Sequence, residues 1–283
     1  MHILALRSYG DYVILLNSIK NADIKQDVQI IASNHLKPIH EALNVNFSTN
    51  FNFIFKDLGI KNGLLGFFTN KHFFSFSTIH EILKLSKSLK SLKINKEKLF
   101  LEHHTRKFLL SVFLSRKLDF LYKSGNVYDA LGRFFGFESI DKTFQLSEVH
   151  PKNKVLIFPD SRKKHKVINE ETMRQLSSSL TNLNVEFKIA KFGQKNKEYS
   201  TLNNQIVYRD FKELILLISE CDFVIASDSV PVHIAEFLEK QHVILYNDKI
   251  NYNWLTPFAK KHHMYTTFKE TPIFINKYFN SAC

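Results

Sequence analysis

Short apolar runs alternate along the chain with longer segments in which apolar residues recur at helical spacing. The opening run, His2 to Leu6, predicts a buried strand and breaks at Arg7-Ser8-Tyr9-Gly10-Asp11. Val13, Leu16 and Ile19 then lie three residues apart, the period of a helix. Strand, Gly-containing turn and helix together form the first unit of a βα layered fold. Val28–Ala32 predicts a second strand, His35–Leu43 a helix and Asn52–Phe55 a third strand. From Ile79 to Leu92 the residues Ile82, Leu85, Leu89 and Leu92 share one helical face, with Lys84, Lys87 and Lys90 away from it. The stretch from Leu99 to Phe137 is predicted to be helix-rich, with Leu109, Leu110, Phe113, Leu114 and Leu118 as its stripe.

The pattern changes at the polar segment Ser147–Asn153, which contains Pro151, and a domain boundary is placed there. Beyond it, strands are predicted at Lys154–Phe158, Val185–Ala190, Gln205–Tyr208, Phe223–Ala226 and His242–Tyr246. Helices are predicted at Glu170–Thr181, Phe211–Ser219 and Val232–Leu238. Continuous apolar strands in regular alternation with helices argue for parallel sheets covered on both faces. The predicted class is α/β, with Rossmann-like βαβ domains at residues 1–150 and 151–283. A ligand is expected in a cleft between them, outside the carboxyl ends of the strands.

A length of 283 residues agrees with two domains at roughly 150 residues each. The 44% hydrophobic and 23% charged content excludes a disordered or fibrous chain. Lys and Arg number 39 against 27 Asp and Glu, a net charge of +12 that suggests an anionic partner. Cys221 and Cys283 form no disulfide framework, so a reducing compartment is expected. The start lacks the pattern of a signal peptide, and no window of about 18 residues is apolar enough to span a bilayer. A cytoplasmic protein is expected, with any membrane contact confined to the surface.

The sharpest segment is Phe223-Val-Ile-Ala-Ser-Asp-Ser-Val-Pro-Val-His-Ile-Ala235. A strand ends, a polar turn follows and a helix begins near Pro231. The N–H groups of a helix start form a ready phosphate site, although Asp228 or Ser229 acting simply as a cap is an equal account. Asp228-Ser-Val-Pro-Val-His-Ile-Ala235 resembles the Asp-Thr-Gly-x-x-His-Leu-Ala motif of glycosyltransferase family 9, the bacterial lipopolysaccharide heptosyltransferases. Ser8-Tyr9-Gly10-Asp11 resembles that family's first Gly-Asp turn. Lys166-Val-Ile-Asn-Glu-Glu171 stands where it has Lys-x-Trp-Pro-x-Glu, and Trp254-Leu-Thr-Pro257 resembles its later Trp and Pro. The chain departs from the family at Val230, where Gly would permit positive φ and close approach of a phosphate, and at Ile168 and Asn169.

The resemblance implies a GT-B fold and inverting, metal-independent transfer of heptose or a related sugar. The donor would be a nucleotide-diphosphate sugar, and the acceptor a lipopolysaccharide core or another anionic surface glycan or glycolipid. Asp11 would be the base, or else only a cap of the first helix. Lys166 would neutralise the diphosphate, or else be one solvated charge in the run from Arg162. Asp228, Ser229 and the Val230 backbone would meet the donor. His233 would bond a phosphate or the donor loop, or simply pack its helix. Arg209 stands where the family presents backbone to the nucleobase. The segment Pro272–Phe279 would pack back on the first domain, as in relatives. The loss of Gly at Val230 motivates the alternative of a degenerate, non-catalytic binding protein.

No cofactor is implied: the chain lacks a dinucleotide fingerprint and a P-loop. No metal is implied either, because His103-His104 and His262-His263 are adjacent and their side chains diverge. Lys84, Lys87, Lys90 and Lys93, with Phe67, Phe68, Phe73, Phe74 and Phe76, suit peripheral contact with an acidic membrane, or else are a solvated face and a core. No nucleic-acid-binding motif is present, so nucleic acid is not an expected partner.

Overall fold

The computed structural model describes residues 1–6, 8–22, 24–44, 47–58, 76–92, 99–101, 118–122, 124–136, 154–193 and 204–280. The chain divides into two compact units, Met1–Ser139 and Ile140–Cys283. The stripe Leu109–Leu114, the pair His103-His104, Phe67–Phe74, Lys93, Cys283 and the segment Ser147–Asn153 lie outside the described residues.

In the first unit, β1 (His2–Ala5), β2 (Val28–Ser33), β3 (Phe51–Lys56), β4 (Leu99–Leu101) and β5 (Leu118–Phe120) form a parallel sheet in the order β3-β2-β1-β4-β5. Helices are α1 (Tyr9–Lys20), α2 (Lys37–Leu43), α3 (Phe76–Ser91) and α4 (Val127–Phe134). The helix-rich prediction for Leu99–Phe137 is corrected at two places, β4 and β5. Leu99 and Leu101 are apolar at alternate positions and buried against Leu4, so sheet pairing overrides a helical preference. Helix α3 presents Ile82, Leu85 and Leu89 to the same cluster, the face its spacing predicts, while Lys84, Lys87 and Lys90 are exposed.

In the second unit, β6 (Val155–Phe158), β7 (Phe187–Phe192), β8 (Gln205–Tyr208), β9 (Phe223–Ser227), β10 (Gln241–Tyr246) and β11 (Tyr265–Thr267) form a second parallel sheet, ordered β11-β10-β9-β6-β7-β8. Its helices are α5 (Glu170–Asn182), α6 (Phe211–Glu220), α7 (Val230–Phe237), α8 (Pro257–Lys261) and α9 (Thr271–Asn280). Strands β6, β9 and β10 are buried at every position, as strands covered on both faces must be. The family resemblance implies that Pro272–Phe279 packs back on the first domain; the partners described for α9 lie in the second unit. It packs on α5, and Tyr278 and Phe279 each place a ring 5.5 Å from Phe223.

In both sheets the first strand of the unit is central and the chain runs outward to one edge before crossing to the other side. That reversal leaves a crevice at the carboxyl ends of the two strands where the winding changes direction. It falls between β1 and β4 in the first unit, and between β6 and β9 in the second.

Candidate active site

The crevice between β6 and β9 brings together two motifs more than sixty residues apart. Lys166 comes from the turn after β6, and Asp228 directly follows β9. The Lys166 ammonium donates to the Asp228 carbonyl at 3.0 Å and sits 2.6 Å from its Oδ2. Asp228 is 6% exposed and Lys166 26%, so this is a mostly desolvated ion pair, and Lys166 is not one solvated charge among its basic neighbours. Two departures from the family pattern hold the lysine turn in place. The Ile168 side chain is fully buried and its N–H donates to the Pro159 carbonyl at 3.0 Å. Asn169 caps α5, its Oδ1 accepting from the Thr172 N–H at 2.8 Å.

Helix α7 begins two residues earlier than its spacing predicts. Ser229 is the N-cap residue in extended conformation, but its hydroxyl donates to the Ser227 carbonyl at 3.0 Å and does not cap the helix. Pro231 carries no N–H, and the first-turn N–H groups of Val230 and Val232 have neither an intrahelical acceptor nor a side-chain cap. Val230 is helical and is absent from the positive-φ positions, so its branched side chain meets no backbone strain. His233, 5% exposed, places Nε2 3.7 Å from Asp228 Oδ1, on the opposite oxygen from Lys166. Burial, with the Asp228 charge nearby, pushes the Tyr246 phenol up and keeps its proton on.

One turn further along α7, Glu236 is fully buried and accepts from the Phe258 N–H at 3.1 Å. His242, also fully buried, donates from Nδ1 to the Lys240 carbonyl at 2.8 Å. Its Nε2 lies 2.7 Å from the Thr256 hydroxyl, which accepts in turn from the Ala259 N–H and so caps α8. Burial holds the imidazole neutral, its pKa lowered to about 4. This network fixes the helix that carries His233 against α8. It gives the Trp254-Leu-Thr-Pro257 segment a structural task that its sequence alone does not announce.

Arg209 stands apart. It is exposed after edge strand β8, two strands from β6, and its N–H donates to Glu213 at 2.6 Å. A polar cavity of about 430 Å³ opens beside the start of α5 and the ends of β10 and β11, lined by Glu171, Gln175, Asn247 and Asp248 among others. A second cavity, about 220 Å³, lies at the opposite, amino-end edge of the sheet beside Cys221, and is remote from the ion pair. Burial pushes the Cys221 thiol up to about 12, so it is no nucleophile at neutral pH.

In the first unit Asp11 follows β1, on the carboxyl side of the crevice strand. It is the third residue of α1, not its N-cap: Ser8 is the cap, and the two form a capping box. Asp11 Oδ2 accepts from the Ser8 N–H at 3.3 Å and from the Ser8 hydroxyl at 2.5 Å, and the Asp11 N–H donates to Ser8 Oγ at 3.4 Å. Near it the Tyr9 ring meets His35 edge-on at 5.7 Å, and His35 Nδ1 lies 2.9 Å from the Ser33 hydroxyl at the end of β2. Tyr9, Ser33 and His35 carry no motif that would have singled them out; only the pairing of β1 with β2 brings them to one edge. Among the described residues no group of three His, Cys, Asp or Glu side chains is placed to hold a metal ion. The His262 and His263 rings diverge, one toward Phe258 and the other toward Tyr265.

This architecture has known counterparts. The E. coli heptosyltransferase WaaC with ADP superposes with a TM-score of 0.61 at 12% identity, over all of both chains. The E. coli ADP-heptose lps heptosyltransferase II gives 0.61 at 13% identity, over 99% of this chain and 97% of that one. A glycosyl transferase family 9 protein from Veillonella parvula gives 0.58 at 12% identity, over 98% and 91%. At such identities the likeness establishes the fold, which is of the GT-B type. No curated protein sequence matches the chain. Residues 96–273, however, match glycosyltransferase family 9 (heptosyltransferase). That match spans well over half the chain and contains the Lys166–Asp228 pair and the start of α7; the chain belongs to glycosyltransferase family 9 and is a glycosyltransferase of the heptosyltransferase kind.

Proposed function

We propose that the protein transfers heptose or a related sugar, with inversion and without a metal ion, from a nucleotide-diphosphate donor to a lipopolysaccharide core or another surface glycan. The observation that carries this reading is the Lys166–Asp228 pair beside an uncapped helix start, at the winding reversal of the second sheet. Cationic side chain and oriented N–H groups are the two elements an anionic diphosphate requires. The donor is assigned to residues 151–283 and the acceptor to residues 1–150.

In the reaction the acceptor hydroxyl gives its proton to the Asp11 carboxylate, and its oxygen attacks the anomeric carbon from the face opposite the diphosphate. The carbon–oxygen bond to the diphosphate breaks, and its electron pair leaves on the phosphate oxygen. Lys166 and the N–H groups of Val230 and Val232 stabilise that charge as it develops. Lys166 is held by Asp228 before the donor arrives, so the diphosphate competes with a carboxylate for the same ammonium. His233, on the other oxygen of Asp228, steadies that carboxylate when the lysine turns to the phosphate. The helical conformation of Val230 supports retained donor binding, since the position makes no demand for glycine.

An anionic glycolipid or glycan acceptor is consistent with a cytoplasmic protein in peripheral contact with the inner face of the inner membrane. Among the described residues no helix is long and apolar enough to cross a membrane. Titration calorimetry with nucleoside diphosphates, with EDTA present, tests the donor site: binding that vanishes on chelation overturns the metal-free account. Turnover across a panel of nucleotide-diphosphate sugars tests the transfer itself. Binding without turnover of any of them, with an acceptor glycan supplied, would show a degenerate member.

A further inference from the structure

Helix α3 carries an outer face that its core-packing role does not explain. Ile82, Leu85 and Leu89 are buried. On the opposite side Phe76 is 93% exposed, Leu83 63% and Ile79 37%. These three stand at positions i, i+3 and i+7, one stripe of a helix. Lys87 and Lys90 continue the same stripe toward the C-terminus, and Lys84 flanks it; all three are exposed. The one carboxylate of the helix, Glu81, is buried and stands off this stripe.

We propose that this face of α3 is a docking surface for an anionic lipid bilayer, with Phe76, Ile79 and Leu83 entering the boundary between headgroups and acyl chains and the lysines meeting lipid phosphates. The inference goes beyond sugar transfer and stands independently of it. Large apolar side chains exposed in a line are unfavourable in water, and lysines at their margin are the arrangement by which a helix lies in a membrane interface. The charge decides the occupant. A second copy of the chain would bring two rows of lysines together without acidic partners, and three side chains present only a few hundred Å², against about 800 Å² per partner in a stable dimer. Lipid phosphates complement the lysines, and the acyl boundary accepts the apolar stripe.

The test is co-sedimentation of the full chain with phosphatidylcholine vesicles, with and without phosphatidylglycerol, over a salt series. Binding is expected only with phosphatidylglycerol and is expected to weaken with salt. Lys84→Gln/Lys87→Gln/Lys90→Gln should lower partitioning by on the order of a hundredfold, at about fivefold for each lysine near an anionic surface. Phe76→Ser/Leu83→Ser should retain salt-sensitive attraction but lose the fraction that survives high salt. Far-UV circular dichroism and nucleoside-diphosphate affinity, measured on the same variants, should match the parent. No binding to phosphatidylglycerol vesicles, or binding that neither variant alters, overturns the proposal. So does a dimer in sedimentation velocity that Phe76→Ser/Leu83→Ser dissolves, which would assign the stripe to a second copy. Vesicle binding that persists in a chain with no diphosphate affinity would remove the donor site and leave the docking surface standing.

Discussion

Removing either partner of the Lys166–Asp228 pair should have unequal effects, because the two groups are unequally buried. Asp228 is 6% exposed, and Lys166 at 26% has a flexible stem with access to water. Lys166→Met strands a carboxylate in a desolvated position, with His233 Nε2 at 3.7 Å. Stranding a fully buried charge costs about 3–5 kcal/mol; water entering where the ammonium stood reduces this to about 2–3 kcal/mol. Asp228→Asn leaves a lysine that can swing outward and keeps a side-chain oxygen near it, so its loss is about 1 kcal/mol, less than the roughly 1.5–3 kcal/mol of a whole charge-assisted hydrogen bond. Ligand affinity should move differently. Lys166→Met loses a charge-assisted contact with the diphosphate and should weaken binding roughly tenfold to a hundredfold, whereas Asp228→Asn frees the ammonium and should bind a nucleoside diphosphate at least as tightly as the parent. Trp254 is the chain's single tryptophan and lies in the second unit, so urea unfolding followed by its fluorescence reports on the unit that contains the pair. Calorimetry supplies the affinities. Equal destabilisation by the two variants, or a loss of affinity in Asp228→Asn as large as in Lys166→Met, would refute the account of a buried carboxylate holding a transferable lysine.

The His242 imidazole is neutral in the fold with a pKa of about 4, against 6.5 unfolded. The unfolded chain therefore binds the extra proton between those values. The second unit should lose up to about 3 kcal/mol as pH falls from 6.5 through 4, read as a falling urea midpoint; His242→Gln should flatten that slope, and an unchanged slope would exclude His242 as its source. Thr256→Val removes both the α8 cap and the partner of His242 Nε2, and should lower the same midpoint by about 2 kcal/mol. For Asp11, the capping box divides structure from chemistry. Ser8→Ala should cost about 1 kcal/mol in circular-dichroism melts and leave turnover intact, while Asp11→Asn should lower turnover about 10²–10⁴-fold; near-normal turnover in Asp11→Asn would leave Asp11 a capping residue alone. Val230→Gly should cost about 0.5–1 kcal/mol, since the helix gains backbone entropy to lose, and should leave diphosphate affinity unchanged; a large rise in affinity would show that the valine side chain obstructs the site.

Much of the second unit is legible in the sequence because its strands are unbroken apolar runs. Val155–Phe158 and Phe223–Ser227 can be little else than buried parallel strands. The first unit is less legible where elements shrink. Leu99–Leu101 and Leu118–Phe120 are three residues each, too short to establish a period of two, and only their pairing with β1 and with each other makes them strands. Helix starts shift for a local reason. At α1 Ser8 reaches forward to Asp11 and so admits Tyr9 and Gly10 to the first turn, and at α7 the backbone turns helical at Val230, before the proline that marks the start in the sequence. The pairing of Lys166 with Asp228 is invisible to any local pattern, since it arises from two loops that meet because β6 and β9 are neighbours. The same holds for His242 and Thr256, whose side chains are ordinary in sequence and meet because α8 packs against β10.

The central position of each unit's first strand has a consequence for how the chain is made. His2 pairs with Leu99, and Leu99 with Leu118. The middle of the first sheet therefore waits for its second neighbour until about a hundred further residues exist, which at roughly 5–20 residues per second of synthesis is on the order of 5–20 seconds. In the second sheet Val155 waits for Phe223, a shorter interval. Through the first delay Ile3 and Leu4, later fully buried, face water or a chaperone on the side where β4 will dock. Substitutions in β1 that slow its docking should therefore lower the yield of protein made in warm cells well before they alter the melting point of the molecules that succeed in folding.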